Sequence, residues 1–478
     1  MLKDEKVFKQ FFQENEIKTG QTKMGVANDV FQQEMANQSN SRKDIDRLTP
    51  KEMVILENKV EDYVRDNTKH NMEIFKNPEK IENKNKIMQY ITDGIKSTNQ
   101  FLSKEHSDEL SKKVWDELTG FGPLQPLLDD PSITEVMVID ANKSFIEKDG
   151  DLQLADIKFK DYNHIKRILD RIIAPIGRKI DEQNPIVDAR LPQGFRLNAV
   201  IAPIALHGGA FITIRKFPTK KWQPEDLIRF KSAPKEVFDF LELCVKARKN
   251  ICVSGGTGSG KTTLLNVLSN CIPPNERIIT IEDVAELKLV GNHILSEEAR
   301  HANSEGVGEV SIRDLVKTAL RQRPDRIIVG ECRGAEALDM LQAMNTGHDG
   351  SMTTGHANTP RDFLSRLEYM CMCAGDMPLA AIKPQIASAV TIIVQIGRTR
   401  INGKKCRRML EIDEVINEFD ENGDYVLKKI FDSKFKGSGK HEIAPTGYLP
   451  TFTDELVQDY GFDVHDLDKP DHYEDPTP

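Results

Sequence analysis

Gly255-Gly256-Thr257-Gly258-Ser259-Gly260-Lys261-Thr262 matches the pattern G-x-x-x-x-G-K-[ST] at every fixed position. The stretch follows the apolar run Ile251-Cys252-Val253 and leads into a segment holding Leu264, Leu265, Val267 and Leu268. That is the strand, loop and helix setting in which this spelling cradles phosphates. Glycines let successive backbone N–H groups wrap an anion closely, and the helix that follows offers its positive end. Gly255, Gly256, Thr257, Gly258, Ser259, Gly260, Lys261, Thr262 and Thr263 therefore form the candidate nucleotide-binding segment. Lys261 is spaced to reach β and γ phosphates, and Thr262 to place its hydroxyl on Mg²⁺. A dinucleotide loop is not spelled here, because Lys261 stands where its last glycine would be needed.

Outward from the loop, helix and strand patterns alternate. A helix is expected over Lys235 to Arg248, strands at Ile251-Cys252-Val253, Arg277 to Ile281 and Arg326 to Gly330, and a helix from Ser311 to about Gln322 opened by a Ser311/Asp314 capping box. Such alternation predicts an α/β domain with a parallel sheet covered on both faces, over residues 233–410. Two of the strands end in carboxylates, Glu282-Asp283 and Glu331. The carboxyl ends of parallel strands share an edge with the loop, so these acids are candidates to hold Mg²⁺ or orient water. Capping of the following helices is the plainer alternative for each.

Upstream, Glu135 to Ile139 and Ser144 to Glu147 read as strands, Tyr162 to Ile173 as a one-sided helix, and Phe195 to Ile201 and Phe211 to Arg215 as strands separated by Pro203 and Gly208-Gly209. This predicts a smaller α+β domain over 101–217, joined by a proline-bearing linker at 218–232. Order is expected from about Leu102; residues 1–100, with 17 acidic and 17 basic side chains, read as a charged leader, helical or partly disordered. Residues 411–478 read as a carboxyl-terminal extension.

The formal charge of −9 sits in that extension: Thr451 to Pro478 carry nine acidic residues against Lys469, leaving the rest of the chain close to neutral. A neutral body gives no general footprint for nucleic acid, and none is expected as a partner. The like charges of the tail predict an extended segment after about Phe462. No apolar stretch reaches the length of a spanning helix and the start lacks a signal-peptide core, which points to the cytoplasm. Seven cysteines without a Cys-x-x-Cys pair suit a reducing compartment, and Cys371, Cys373 and Cys406 do not make up a four-ligand zinc set.

Three further segments join the loop: Thr280-Ile281-Glu282-Asp283-Val284-Ala285-Glu286-Leu287, Arg326 to Glu331, and Thr346-Gly347-His348-Asp349-Gly350-Ser351-Met352-Thr353-Thr354-Gly355-His356-Ala357-Asn358. They resemble the Asp box, Walker B and His box of the type II and type IV secretion ATPases. With Phe121-Gly122-Pro123-Leu124 and Asp188-Ala189-Arg190-Leu191-Pro192 upstream, the wording is most similar to the CpaF branch that powers tight-adherence (Tad) pili. The resemblance implies a RecA-like P-loop domain and an ATPase, with Glu282 activating water, Glu331 the acid near Mg²⁺ and His356 on the γ-phosphate side. It further implies that Arg190, Arg196 and Arg215 of the upstream domain reach the nucleotide. Arg321, Arg323 and Arg333 are candidates for contacts at or between subunits. A homo-oligomer, expected to be a hexamer, would act on an integral-membrane platform from the inner face of the membrane. One departure stands out: Gly355 replaces a larger apolar residue, which predicts looser support for His356. Two other classes fit part of the sequence: a RecA-like nucleic-acid translocase or conjugation-associated ATPase, and a nucleotide-gated interaction module without turnover.

Overall fold

The computed structural model describes residues 49–468, apart from 149, 207–208, 217–221, 303–305, 376, 402 and 437–439. Most of the first half of the expected leader, the start of the expected linker and the last ten residues of the tail thus lie outside the described residues. The chain divides into two compact units. One takes the chain up to Ile133 with Asp140–Phe145 and Leu154–Ile172; the other takes Thr134–Ile139, Ile146–Gln153 and everything from Ile173.

In the first unit, helices Pro50–Thr68, Ile81–Ser97 and Lys104–Thr119 enclose a core of Leu56, Val60, Val64, Ile87, Ile91, Leu110 and Val114. Thr49 and Glu52 close a reciprocal cap at the first helix. Packed helices are therefore present some fifty residues before the expected start of order at Leu102. The apolar positions Met53, Leu56, Val60 and Val64 recur at three and four, but the charged and amide residues between them dilute the pattern.

Among the described residues the chain forms two sheets. Strands β1 (Ile133–Asp140), β2 (Lys143–Lys148), β3 (Asp151–Leu154), β4 (Ile186–Arg190), β5 (Arg196–Val200) and β6 (Phe211–Arg215) lie in the order β3-β2-β1-β6-β5-β4. The larger sheet has nine strands: β7 (Ile251–Gly255), β8 (Ile278–Glu282), β9 (Ile294–Glu298), β10 (Arg326–Val329), β11 (Met352–Gly355), β12 (Ile392–Ile401), β13 (Lys404–Phe419), β14 (Tyr425–Lys436) and β15 (Lys440–Pro445). Their order is β15-β14-β13-β12-β7-β11-β10-β8-β9. The block from β12 to β9 is parallel, and β7, β8 and β10 are buried along their whole length, as strands covered on both faces must be. β13, β14 and β15 continue the sheet antiparallel. The boundary expected at 410 falls inside β13, so the extension is part of the nine-stranded sheet and not an appendage.

The tail also departs from expectation. Helix Thr453–Tyr460 and the turn Val464–Leu467 carry Phe452, Leu456, Phe462 and Leu467 into the core beside Phe240 and Phe431. Lys249 pairs with Glu455, and the Tyr460 hydroxyl donates to the Lys246 carbonyl. Four apolar anchors outweigh the repulsion between exposed carboxylates, so the chain is packed as far as Leu467 instead of extended beyond Phe462. Among the described residues no helix is long and apolar enough to cross a membrane.

Candidate functional site

The P-loop runs from the end of β7 into helix Lys261–Ser269. Gly258 and Gly260 have φ of +68° and +101°, a region costly for any side chain. Gly255 has a different reason: a Cβ there would stand 2.2 Å from the Ile396 carbonyl oxygen. Lys261 is buried, and its Nζ donates to the Gly255 and Gly256 carbonyls at 3.1 and 3.2 Å. Burial lowers its pKa from the ordinary lysine value. Ser259 Oγ, in the loop, and Glu331 Oε1, at the end of β10, are buried without a hydrogen-bond partner among the described residues. A cradle of N–H groups, an inward ammonium and unsatisfied oxygens are the donor set a Mg-nucleotide takes up, so the residues fit that ligand.

The strand ends bring three of the expected residues to the loop. His356, just past β11, places Nδ1 3.3 Å from Lys261 Nζ and Nε2 2.8 Å from Glu331 Oε1, the latter without hydrogen-bond geometry. Burial pushes the imidazole below its ordinary pKa, against the pull of Glu331. The other Glu331 oxygen accepts from Arg333 Nε and Nη2 at 2.9 and 2.6 Å. Gly355 does not leave His356 loose. A Cβ on Gly355 would lie 2.3 Å from Phe363 Cε2, so a fully buried ring fills the space of the missing side chain. Gln395 on β12 adds a clamp, donating from Nε2 to the Ala357 and Asn358 carbonyls.

Glu282 is 3% exposed and lies over Gly330, where a Cβ would come within 2.8 Å of its Cγ. Its carboxylate accepts from the N–H groups of Glu286 and Leu287. Burial nevertheless dominates and pushes its pKa up to about 7. Asn266 on the P-loop helix and Asn270 at its C-cap accept from the Lys288 and Val290 N–H groups, which pins the segment following Glu282.

Arg190, Arg196 and Arg215 are cross-strand neighbours on β4, β5 and β6. Arg190 pairs with Glu298 at the end of β9 and favours the charged form of Glu282. Arg196 and Arg215 do the same for Glu286, whose pKa is raised by burial. A cavity of about 200 Å³ opens between Arg190, Arg196, Asp283 and Glu298. Arg333 joins the site through Glu331 and lies 3.6 Å from Asp283. Arg321 and Arg323 precede β10 and so lie at its amino end, away from the edge that carries Glu331.

Several contributors are not marked in the sequence. Phe363, Gln395 and Glu298 belong to none of the quoted segments, and only the fold shows that they meet Gly355, the Ala357 carbonyl and Arg190.

The type II/IV secretion system protein family matches residues 117–438, about two thirds of the chain. A putative conjugal transfer protein of Mycobacterium tuberculosis is 39% identical over 306 residues, 62% of this chain and 84% of that protein. The type IV secretion system protein PtlH of Bordetella pertussis is 33% identical over 319 residues, 60% of this chain and 92% of its own. Among solved structures, the VirB11 ATPase from the Brucella suis type IV secretion system, in complex with sulphate, is 30% identical. It spans 61% of this chain and 91% of that one, with a TM-score of 0.33. With the phosphate loop, strand-end acids and histidine gathered at one sheet edge inside the matched region, the chain belongs to the type II/IV secretion system protein family and is a P-loop ATPase.

Proposed function

We propose that this ATPase drives a pilus or secretion machine, most like the CpaF-type motors of tight-adherence pili, as a ring, expected to be a hexamer, acting on a membrane-embedded platform. The observation that carries the reading is the continuous contact Lys261–His356–Glu331, with Glu282, its pKa near 7, on the neighbouring strand end. Thr262 and Glu331 would hold Mg²⁺, which supplies charge neutralisation on the phosphates. Lys261 exchanges the loop carbonyls for β and γ oxygens. Glu282, once ionised, takes the proton of the attacking water. His356, neutral at physiological pH, reports occupancy of the γ position to Glu331. Arg190 leaves Glu298 and, with Arg196 and Arg215, neutralises the charge that grows on the transferred phosphoryl group. Closure of those arginines onto the nucleotide is the movement that a ring passes to its platform.

Phosphate release and nucleotide binding by Lys261→Ala test this: both should be lost while the fold persists. Normal turnover by the variant would refute the assignment. The conjugal-transfer relative favours a second reading, a motor for nucleic-acid transfer; stimulation of turnover by DNA would select it.

A further inference from the structure

β12 pairs with β7 only as far as Ile396 opposite Gly255, but remains paired with β13 to Ile401 opposite Lys404. The stretch from Gly397 onward therefore runs past the P-loop as a two-stranded ribbon. Within it Arg398 stands opposite Arg407, and Arg400 opposite Lys405. Residues two apart on a strand share a face, so four exposed cations occupy one side of the ribbon. Among the described residues none of the four pairs with a carboxylate. Like charges placed directly opposite each other destabilise a strand pair, and an anion relieves that cost.

One end of this face meets the P-loop. Arg407 Nε donates to the Gly258 carbonyl at 3.0 Å, and its Cδ lies 3.4 Å from where a Cβ on Gly260 would stand. Arg398 Nη1 is 3.6 Å from the corresponding position on Gly258. The two guanidinium groups thus flank the turn of the loop whose N–H groups face phosphate. They approach from the β12 side of β7, whereas His356 and Glu331 approach from the β11 side.

We propose that Arg398 and Arg407 are nucleotide-binding residues that complete the phosphate cradle from the β12–β13 ribbon, resting on the reading of the P-loop as the ATP site. Arg398 contacts the polyphosphate directly. Arg407 does so while fixing the loop tip through Gly258. Guanidinium forks suit this task, offering several donors to adjacent phosphoryl oxygens. Arg400 and Lys405 lie one strand repeat farther along, about 6.6 Å, and add exposed charge without a contact to the loop among the described residues.

The test is equilibrium binding of ADP and AMP to the full-length chain, read by displacement of a fluorescent nucleotide at physiological salt. Arg398→Gln should weaken ADP by about tenfold, the size of a lost hydrogen bond to a charged group, and AMP by less. Arg407→Gln should do at least as much. The double variant Arg400→Gln/Lys405→Gln, which removes twice the charge of either single variant, should stay within about twofold. Arg398→Gln is decisive, because Arg398 makes no hydrogen bond to the loop among the described residues. Parental ADP affinity in Arg398→Gln would overturn the proposal, as would an equal loss in the double variant. If the parent binds and Lys261→Ala does not, such a result counts against the ribbon alone. Absence of binding by the parent overturns the ATP-site reading and this proposal with it.

Discussion

A single methyl group on Gly355 should cost the protein more than its size suggests. The added Cβ would meet Phe363 Cε2 at 2.3 Å and Cδ2 at 3.1 Å. Phe363 is completely buried among Leu364, Leu367, Ile393 and Val415, so the ring must retreat by about 1 Å into a filled core. Overpacking of that kind costs about 1–3 kcal/mol. Phe363→Leu alone removes ring volume and destabilises by a comparable amount, but it also vacates the space the methyl group needs. In a double-mutant cycle Gly355→Ala should then cost much less in the Phe363→Leu background, with a favourable coupling of about 1 kcal/mol or more. Urea titration of the full-length chain gives the four free energies, and ATP turnover reports whether the neighbouring His356 moves with the ring. The packing argument is refuted if Gly355→Ala unfolds within about 0.3 kcal/mol of the parent, or if the two substitutions are additive.

Three other outcomes are expected. Glu282 is pushed up to about 7 by burial, and a base works ionised, so turnover should fall as pH drops through 7; Glu282→Gln should lower kcat by about 10²-fold or more and flatten that limb, while nucleotide affinity holds. Arg196→Ala and Arg215→Ala should depress kcat by roughly 10² to 10⁵ with little change in affinity, and parental rates in variants whose assembly is intact by light scattering would exclude closure onto the γ-phosphate. Truncation after Gly461, which removes the buried Phe462 and Leu467, should destabilise the unit by about 2–5 kcal/mol, read as a lower midpoint of thermal unfolding than the full-length chain.

β7, β8 and β10 are legible because they are apolar runs that stop at glycine or at Glu282 and Glu331, whereas β9, with Ser296, Glu297 and Glu298, and β11, with Thr353 and Thr354, carry no such signal. The helix Tyr162–Ile173 and the strand Phe211–Arg215 are readable for the same reason: their periods are clean. The helices from Pro50 onward are harder to see, since Lys, Glu, Asp and Asn are interspersed with the apolar positions and the chain reads as solvated. The tail hides its anchors in another way: Phe462 and Leu467 are isolated among carboxylates, and only the groove beside Phe240 gives them a destination. Gly355 shows the limit of reading along a line. Its partner Phe363 is eight positions away, and no local pattern connects a missing side chain to the ring that replaces it.

β7 is the fifth of nine strands, so the P-loop sits at the midpoint of a continuous hydrogen-bonded plate. With strands about 4.8 Å apart, either edge lies roughly 19 Å from the nucleotide. A plate of that kind is stiff across its ladder, and a tilt of the central strand by about 10° carries its margins through roughly 3 Å. A small displacement at the P-loop would thereby become a larger stroke at β9 on one flank and β15 on the other, the geometry of a balanced beam with its pivot at the central strand.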